Sequence, residues 1–198
     1  MTVLDTIHSR RSIRRYLPQP VPQDLIESIL TAGIWAPSAH NRQPWRFVVV
    51  ETPAVKDSLA RAMGARLRAD LEADHVPEAV IEKDVTRSHD RITSAPVVIV
   101  MCMTFEDMDS YPDKLRSRNE FVMATQSVAM AGQNVLLAAH AAGLGACWMC
   151  APLFCPDVVG DTLDLPASWQ PQGMITLGYP AQERKKTRDP LASCSLWR

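Results

Sequence analysis

Apolar positions at Val3, Leu4 and Ile7 mark a short amphipathic helix over residues 3–10. Three prolines between Leu17 and Pro22 make a linker. Leu25, Ile26, Ile29, Leu30 and Gly33 then recur at helical spacing, which predicts a helix over 22–36. Phe47, Val48, Val49 and Val50 form a continuous apolar run, a buried strand over 46–51. Two charged helices are expected next, over 54–74 and 77–93, both outside the core. A Val-Val-Ile-Val-Met run predicts a strand over 96–103, and residues 104–119 read as polar and irregular.

The longest helix is expected over 118–142, with Phe121, Val122, Val128, Met130, Val135, Leu136 and Leu137 nearly all round it. Gln126, Ser127, Gln133, Asn134 and His140 interrupt that run, so it does not read as a membrane span. One domain of this size does not surround such a helix alone, so burial between two subunits of a homodimer is expected. Gly143 and Gly145 end it. A strand over 146–150, a helix over 155–165 and a strand over 173–178 follow, and a basic tail closes the chain. Four strands among helices, joined by connections too long for hairpins, imply an α/β or α+β sheet covered by helices. The expected unit is one domain, residues 1–198.

Composition changes this picture little. Hydrophobic content is 46% and net charge −1, which argues against general nucleic-acid binding but leaves room for a local basic pocket. Five cysteines without disulfide spacing, and no signal peptide at the start, imply a cytoplasmic protein with reduced thiols.

Two stretches carry candidate chemistry. Residues 36–47 hold Pro37, Ser38, Ala39, His40, Asn41, Gln43 and Pro44. The prolines stiffen the loop, and its hydroxyl and amide groups suit the polar edge of a flat heterocycle. His40 faces solvent or else contacts substrate or a ring edge. Arg10, Arg11, Arg14 and Arg15 flank Ser12 near the chain start, and guanidinium forks bind phosphate or carboxylate oxygens in pairs. Gly143-Leu144-Gly145 follows a helix and lacks the third glycine of a dinucleotide fingerprint. Cys147 and Cys150 point to opposite faces of their strand, so they do not share a metal, and no metal site is expected.

Arg-Arg-Ser-x-Arg near the start, with Pro-Ser-x-x-Asn-x-Gln-Pro-Trp about 25 residues on, resembles the flavin-dependent nitroreductase family over nearly the whole chain. The resemblance implies an α+β fold with a mixed, mostly antiparallel sheet and the long helix at a homodimer interface. It implies FMN bound by Arg10, Arg11, Ser12 and Arg14 of one subunit and by Pro37, Ser38, Ala39, Asn41 and Gln43 of the other. Trp148, Met149, Cys150 and Ala151 would pass their backbone near flavin N5, and Lys186 and Arg188 would reach the phosphate. Tyr111 and Arg116, with His40, are the expected substrate contacts. Two positions depart from the pattern: Ala39 stands where many relatives have Ser, and Cys150 where some have Glu.

A narrower likeness lies in Pro-Ser-x-His-x-Arg-Gln-Pro-Trp-Arg-Phe, Leu67–Leu71, Leu153–Val159 and Leu165–Pro171. These resemble the C-terminal reductase domain of the coenzyme F420 biosynthesis protein. The implied reaction passes a hydride from NAD(P)H through FMN to a small acceptor, for which a dehydro precursor of F420 is one candidate. A broad nitroaromatic or quinone reductase is a second reading, and a flavin- or deazaflavin-binding module without turnover a third.

Overall fold

The computed structural model describes residues 2–198. Its centre is a four-stranded sheet of β1 (Trp45–Val50), β2 (Val97–Met103), β3 (Gly145–Met149) and β4 (Gln170–Gly178), in the order β1-β2-β4-β3. Every named pair is antiparallel. The mixed character expected of the sheet reduces to a single parallel bridge, Ser12 to Ala146, where the arginine segment lies along the outer edge of β3.

β2 is buried along its whole length, and its alternation divides the core. Val97, Ile99, Met101 and Met103 face α2 (Gln23–Ile34) and α5 (Lys114–Ala141). Val98, Val100 and Cys102 face α3 (Pro53–Ala73), α4 (Glu78–Thr93) and α6 (Pro156–Thr162). The two charged helices therefore do not lie outside the core. Leu59, Ala60, Met63 and Ile92 form the stripe they bury on the sheet, and their charges occupy the opposite sides.

Two boundaries move for identifiable reasons, and one helix is shorter than expected. α5 starts at Lys114 because Asp113 caps it, its Oδ1 accepting the Arg116 N–H at 2.9 Å. β4 starts at Gln170, before the expected strand, because a bulge at Gln172 absorbs Pro171, which cannot donate to the ladder. The helix expected over 155–165 is only Pro156–Thr162.

α5 is long and apolar enough, by length and composition, to cross a membrane. Its stripe Ala124, Val128, Ala131, Val135 and Ala139 is instead packed against the sheet. Burial all round the helix does not occur within one chain: Val122 and Met130 remain 41% and 38% exposed on its outer side. Close approach to the sheet is set midway along it, where the Trp148 indole lies directly over Gly132 and Gly173. A Cβ at Gly173 would come within 2.6 Å of that ring.

Candidate functional site

The arginine segment is fixed at several points. α1 (Val3–Ser9) delivers it, and Ser9 Oγ shares a 2.8 Å hydrogen bond with His140 Nε2 near the end of α5. Ile13 N–H donates to the Ala146 carbonyl at 3.0 Å. Gly145 allows that approach, since a Cβ there would sit 2.7 Å from Ile13. Tyr16 Oη lies 2.7 Å from Thr176 Oγ1 and 2.6 Å from the Ile13 carbonyl, so the segment is tied to β4 as well. Burial pushes the Tyr16 phenol well above its ordinary pKa, and it stays a neutral donor.

The segment meets the basic tail there. Arg10, Arg11, Ser12 and Arg14 line a cavity of about 170 Å3 with Lys186, Arg188 and Arg184. No carboxylate lines it. Burial and then the neighbouring Arg188 and Arg11 charges depress the Arg10 pKa, and Arg11 Nε is buried without a hydrogen-bond partner. Crowded cations with an unused donor are complementary to a small polyanion, and a phosphate monoester fits the donor set. Arg184 was missed by the sequence reading. Its signal was the 184, 186, 188 alternation, which puts three cations on one side of an extended tail.

Trp148 and Met149 end β3, and Cys150 and Ala151 follow directly. Cys147, just before them, is buried against Ser12, Arg10 and Arg14, and burial pushes its thiol pKa up. The side chains of this stretch are not free for a ligand in equal measure. The Trp148 ring belongs to the core, with Nε1 donating to Cys150 Sγ at 3.2 Å, and Met149 packs on the second core cluster. The Trp148 ring is thus engaged inside the protein, and the expectation for this stretch concerns its backbone alone. Among the described residues no cluster of three or more His, Cys, Asp or Glu side chains could hold a metal.

The 36–47 loop is placed elsewhere. Ala39 N–H points to Ser127 Oγ at 3.4 Å. Ser127 and His140 are about 20 Å apart along α5 at 1.5 Å per residue. Within one chain, Pro37, Ser38, Ala39, Asn41 and Gln43 are thus not brought to the cationic cavity. The loop is also strained. His40, Asn41 and Gln43 have φ of 49°, 54° and 50°, a region costly for residues with a Cβ. Ser38 Oγ accepts the Gln43 N–H at 3.0 Å, and Arg42 pairs with Asp109 at 2.6 Å. The Asp109 N–H in turn donates to buried Glu120 at 3.1 Å. These bonds hold the loop in its unfavourable backbone shape.

Tyr111 and Arg116 pair with each other, the guanidinium 5.0 Å above the ring, at the start of α5. Arg116 is about 36 Å along the helix from His140, so the expected substrate residues lie with the loop and not with the arginines.

The profile of the Nitroreductase family matches residues 7–179. The chain belongs to the nitroreductase family. It is 34% identical over 191 residues to a Methanothermobacter thermautotrophicus protein provisionally named NADH dehydrogenase/NAD(P)H nitroreductase, covering 96% of this chain and 82% of that one. It is 33% identical to an NADH dehydrogenase of Thermus thermophilus, covering 96% and 92%. Among solved structures, a Desulfovibrio desulfuricans nitroreductase-like protein in complex with FMN superposes with TM-score 0.77 at 32% identity, covering 100% of this chain and 97% of that chain. A BluB-like flavoprotein of Clostridium difficile shares the fold with TM-score 0.82 at 21% identity, covering 100% and 99%. This nitroreductase-family chain is accordingly an oxidoreductase with the α+β architecture of those structures.

Proposed function

We propose that the protein is an FMN-dependent oxidoreductase of NAD(P)H, active as a homodimer, that reduces a small organic acceptor. The observation that carries this reading is the carboxylate-free cavity of Arg10, Arg11, Ser12, Arg14, Arg184, Lys186 and Arg188. FMN in the D. desulfuricans relative and the NAD(P)H names of the curated relatives support the cofactor and donor.

Arg10, Arg14, Lys186 and Arg188 would hold the phosphate by charge-assisted hydrogen bonds, with Ser12 adding a hydroxyl. The flavin, when bound, supplies the electron relay between donor and acceptor. The chain's own part is to bind, orient and tune. Cations near the ring favour the more negative reduced form, and the Cys147–Ala151 backbone offers donors without a titrating side chain. The strained 38–43 loop is preformed, so closing over a flat ring costs it little further order. The distance between loop and cavity within a chain is resolved if the loop serves the partner's cavity. Exposed Trp35, Val122 and Met130 are the apolar surface such a dimer would cover.

The experiment is the visible spectrum of the purified protein, mass identification of the released ligand, and anaerobic titration with NADPH and NADH. A yellow protein bleached by either donor supports the reading. A yellow protein that stays oxidised with both is a binding module. The acceptor is the finer question. The 153–159 and 165–171 motifs favour a deazaflavin precursor of the F420 type, and the nitroreductase name of the M. thermautotrophicus relative favours a nitro compound, with a quinone as the related alternative. Turnover on the two classes side by side separates them.

A further inference from the structure

The phosphate-sized cavity opens beside a larger one of about 660 Å3, and the two share Arg14 and Arg184. Arg15 adds to one wall, and α4 contributes Lys83, Arg87 and Arg91 to the other. Only Glu82 and Asp90 oppose these six cations. Glu82 is already bound by Arg68 of α3, and Asp90 lies 3.8 Å from His89 Nδ1. Arg87 has its own partner at the rim, Asp84 at 2.7 Å.

Deeper in, the charges are uncompensated. Arg91 is half-buried, and its pKa is depressed by burial and then by the like charges of Arg14 and Arg87. Gln182 lines the same space, and its Nε2 is buried with no hydrogen-bond partner. A protein of net charge −1 has thus gathered six cations and an idle amide donor around one volume. The volume suits a nucleotide-sized ligand. Five of the six cations are arginines, which stack on aromatic bases as well as binding phosphate.

We propose that this cavity binds the phosphate-bearing adenylate end of the reduced dinucleotide, its 2′-phosphate included, and so makes NADPH the preferred donor. This rests on the NAD(P)H reading above and names the residues that choose within it. Lys83 and Arg87 sit at the exposed rim and are the discriminating pair. Arg14 and Arg184 are common to both cavities, so the cofactor phosphate and the donor phosphates are held by one continuous cationic wall.

Calorimetric titration of the flavin-loaded protein with 2′,5′-ADP, 5′-AMP and inorganic pyrophosphate tests it. The expected result is 2′,5′-ADP binding about tenfold or more tighter than either other probe, one charge-assisted contact's worth. Lys83→Ala/Arg87→Ala should erase that preference and lower the NADPH/NADH ratio of kcat/KM about tenfold. Both residues are exposed on a helix and alanine favours helix, so the variant is expected to fold, which its melting curve verifies. 2′,5′-ADP should inhibit competitively against NADPH. Equal binding of 2′,5′-ADP and pyrophosphate, competition against the acceptor instead, an unchanged donor ratio in the variant, or FAD as the released cofactor would each overturn the proposal. The binding arms need no turnover. A protein that selects 2′,5′-ADP but holds no flavin would defeat the functional reading alone, and a flavoprotein indifferent to 2′,5′-ADP would defeat this one alone.

Discussion

The two motif-bearing regions of this chain are in opposite states of completion. The arginine segment and the basic tail are far apart in sequence, yet one chain folds them onto the same cavity. The 36–47 loop, much nearer in sequence, docks about 20 Å further along α5 and meets no part of that cavity. The first region is finished within one chain, a carboxylate-free cationic cavity complementary to an anion. The second is a strained surface that stays apart from it, and in the proposed homodimer it would meet the partner's cavity. The difference teaches that the cationic cavity and the amide-bearing loop are built separately, and that α5 fixes the distance between them.

The largest expected effect tests the finished half. Arg10→Ala/Arg14→Ala removes two charge-assisted partners, each of about 1.5–3 kcal/mol, so flavin affinity measured by equilibrium dialysis should fall roughly a hundredfold or more. Retained affinity would mean that the cavity is not where the phosphate goes. Next comes the spacer. Gly132→Ala drives a methyl into the Trp148 ring and should lower stability by about 1–3 kcal/mol in denaturant unfolding. It should also disturb the 148–151 backbone, so flavin fluorescence should shift; an unchanged midpoint would show that α5 is not seated on that ring.

Ser38→Ala tests the unfinished half. It deletes the acceptor of the Gln43 N–H and should loosen the positive-φ turn, lowering flavin affinity about tenfold while costing only about 1 kcal/mol of stability. Equal losses in both measurements would make the loop merely structural. The smallest effect concerns His140. Burial, then the Arg10 and Arg11 charges, hold its pKa below the ordinary value of 6.5. The unfolded chain therefore takes that proton first. Its cost to stability is absent above about pH 6.5 and grows as pH falls through the folded value. An anion between Arg10 and Arg11 should relieve their repulsion, so the His140 pKa read by NMR should rise when FMN is added. No movement, or a fall, would separate His140 from the cavity.

Much of the fold was legible because local signals and tertiary packing agree. The Val-Val-Ile-Val run of β2 and the 3.6-residue stripe of α2 each have one physical solution. α3 and α4 were misplaced because dense charge hides a narrow stripe; Leu59, Ala60 and Met63 suffice to cover the sheet. The start of α5 was missed because Tyr111-Pro112-Asp113 reads as a turn, while Asp113 is in fact the cap. At the site, Arg10 to Arg14, Lys186 and Arg188 were legible by charge and family pattern. Arg184 and the α4 cations were not, since Lys83, Arg87 and Arg91 look like any solvated helix face until the tail folds across them. The packing of the Trp148 ring was not legible either, because sequence does not reveal that Gly132 and Gly173 lie against it.

Mixed dimers test the central claim most directly. An Arg10→Ala/Arg14→Ala chain and a Ser38→Ala/Asn41→Ala chain, carrying different affinity tags, are co-expressed and the heterodimer is purified through both. If the arginines of one chain serve with the loop of the other, one of the two sites is wholly wild type, and the heterodimer should bind one flavin per two chains at wild-type affinity. If each site is built within a chain, both sites are damaged; a heterodimer that binds flavin no better than the two parent variants would contradict the account.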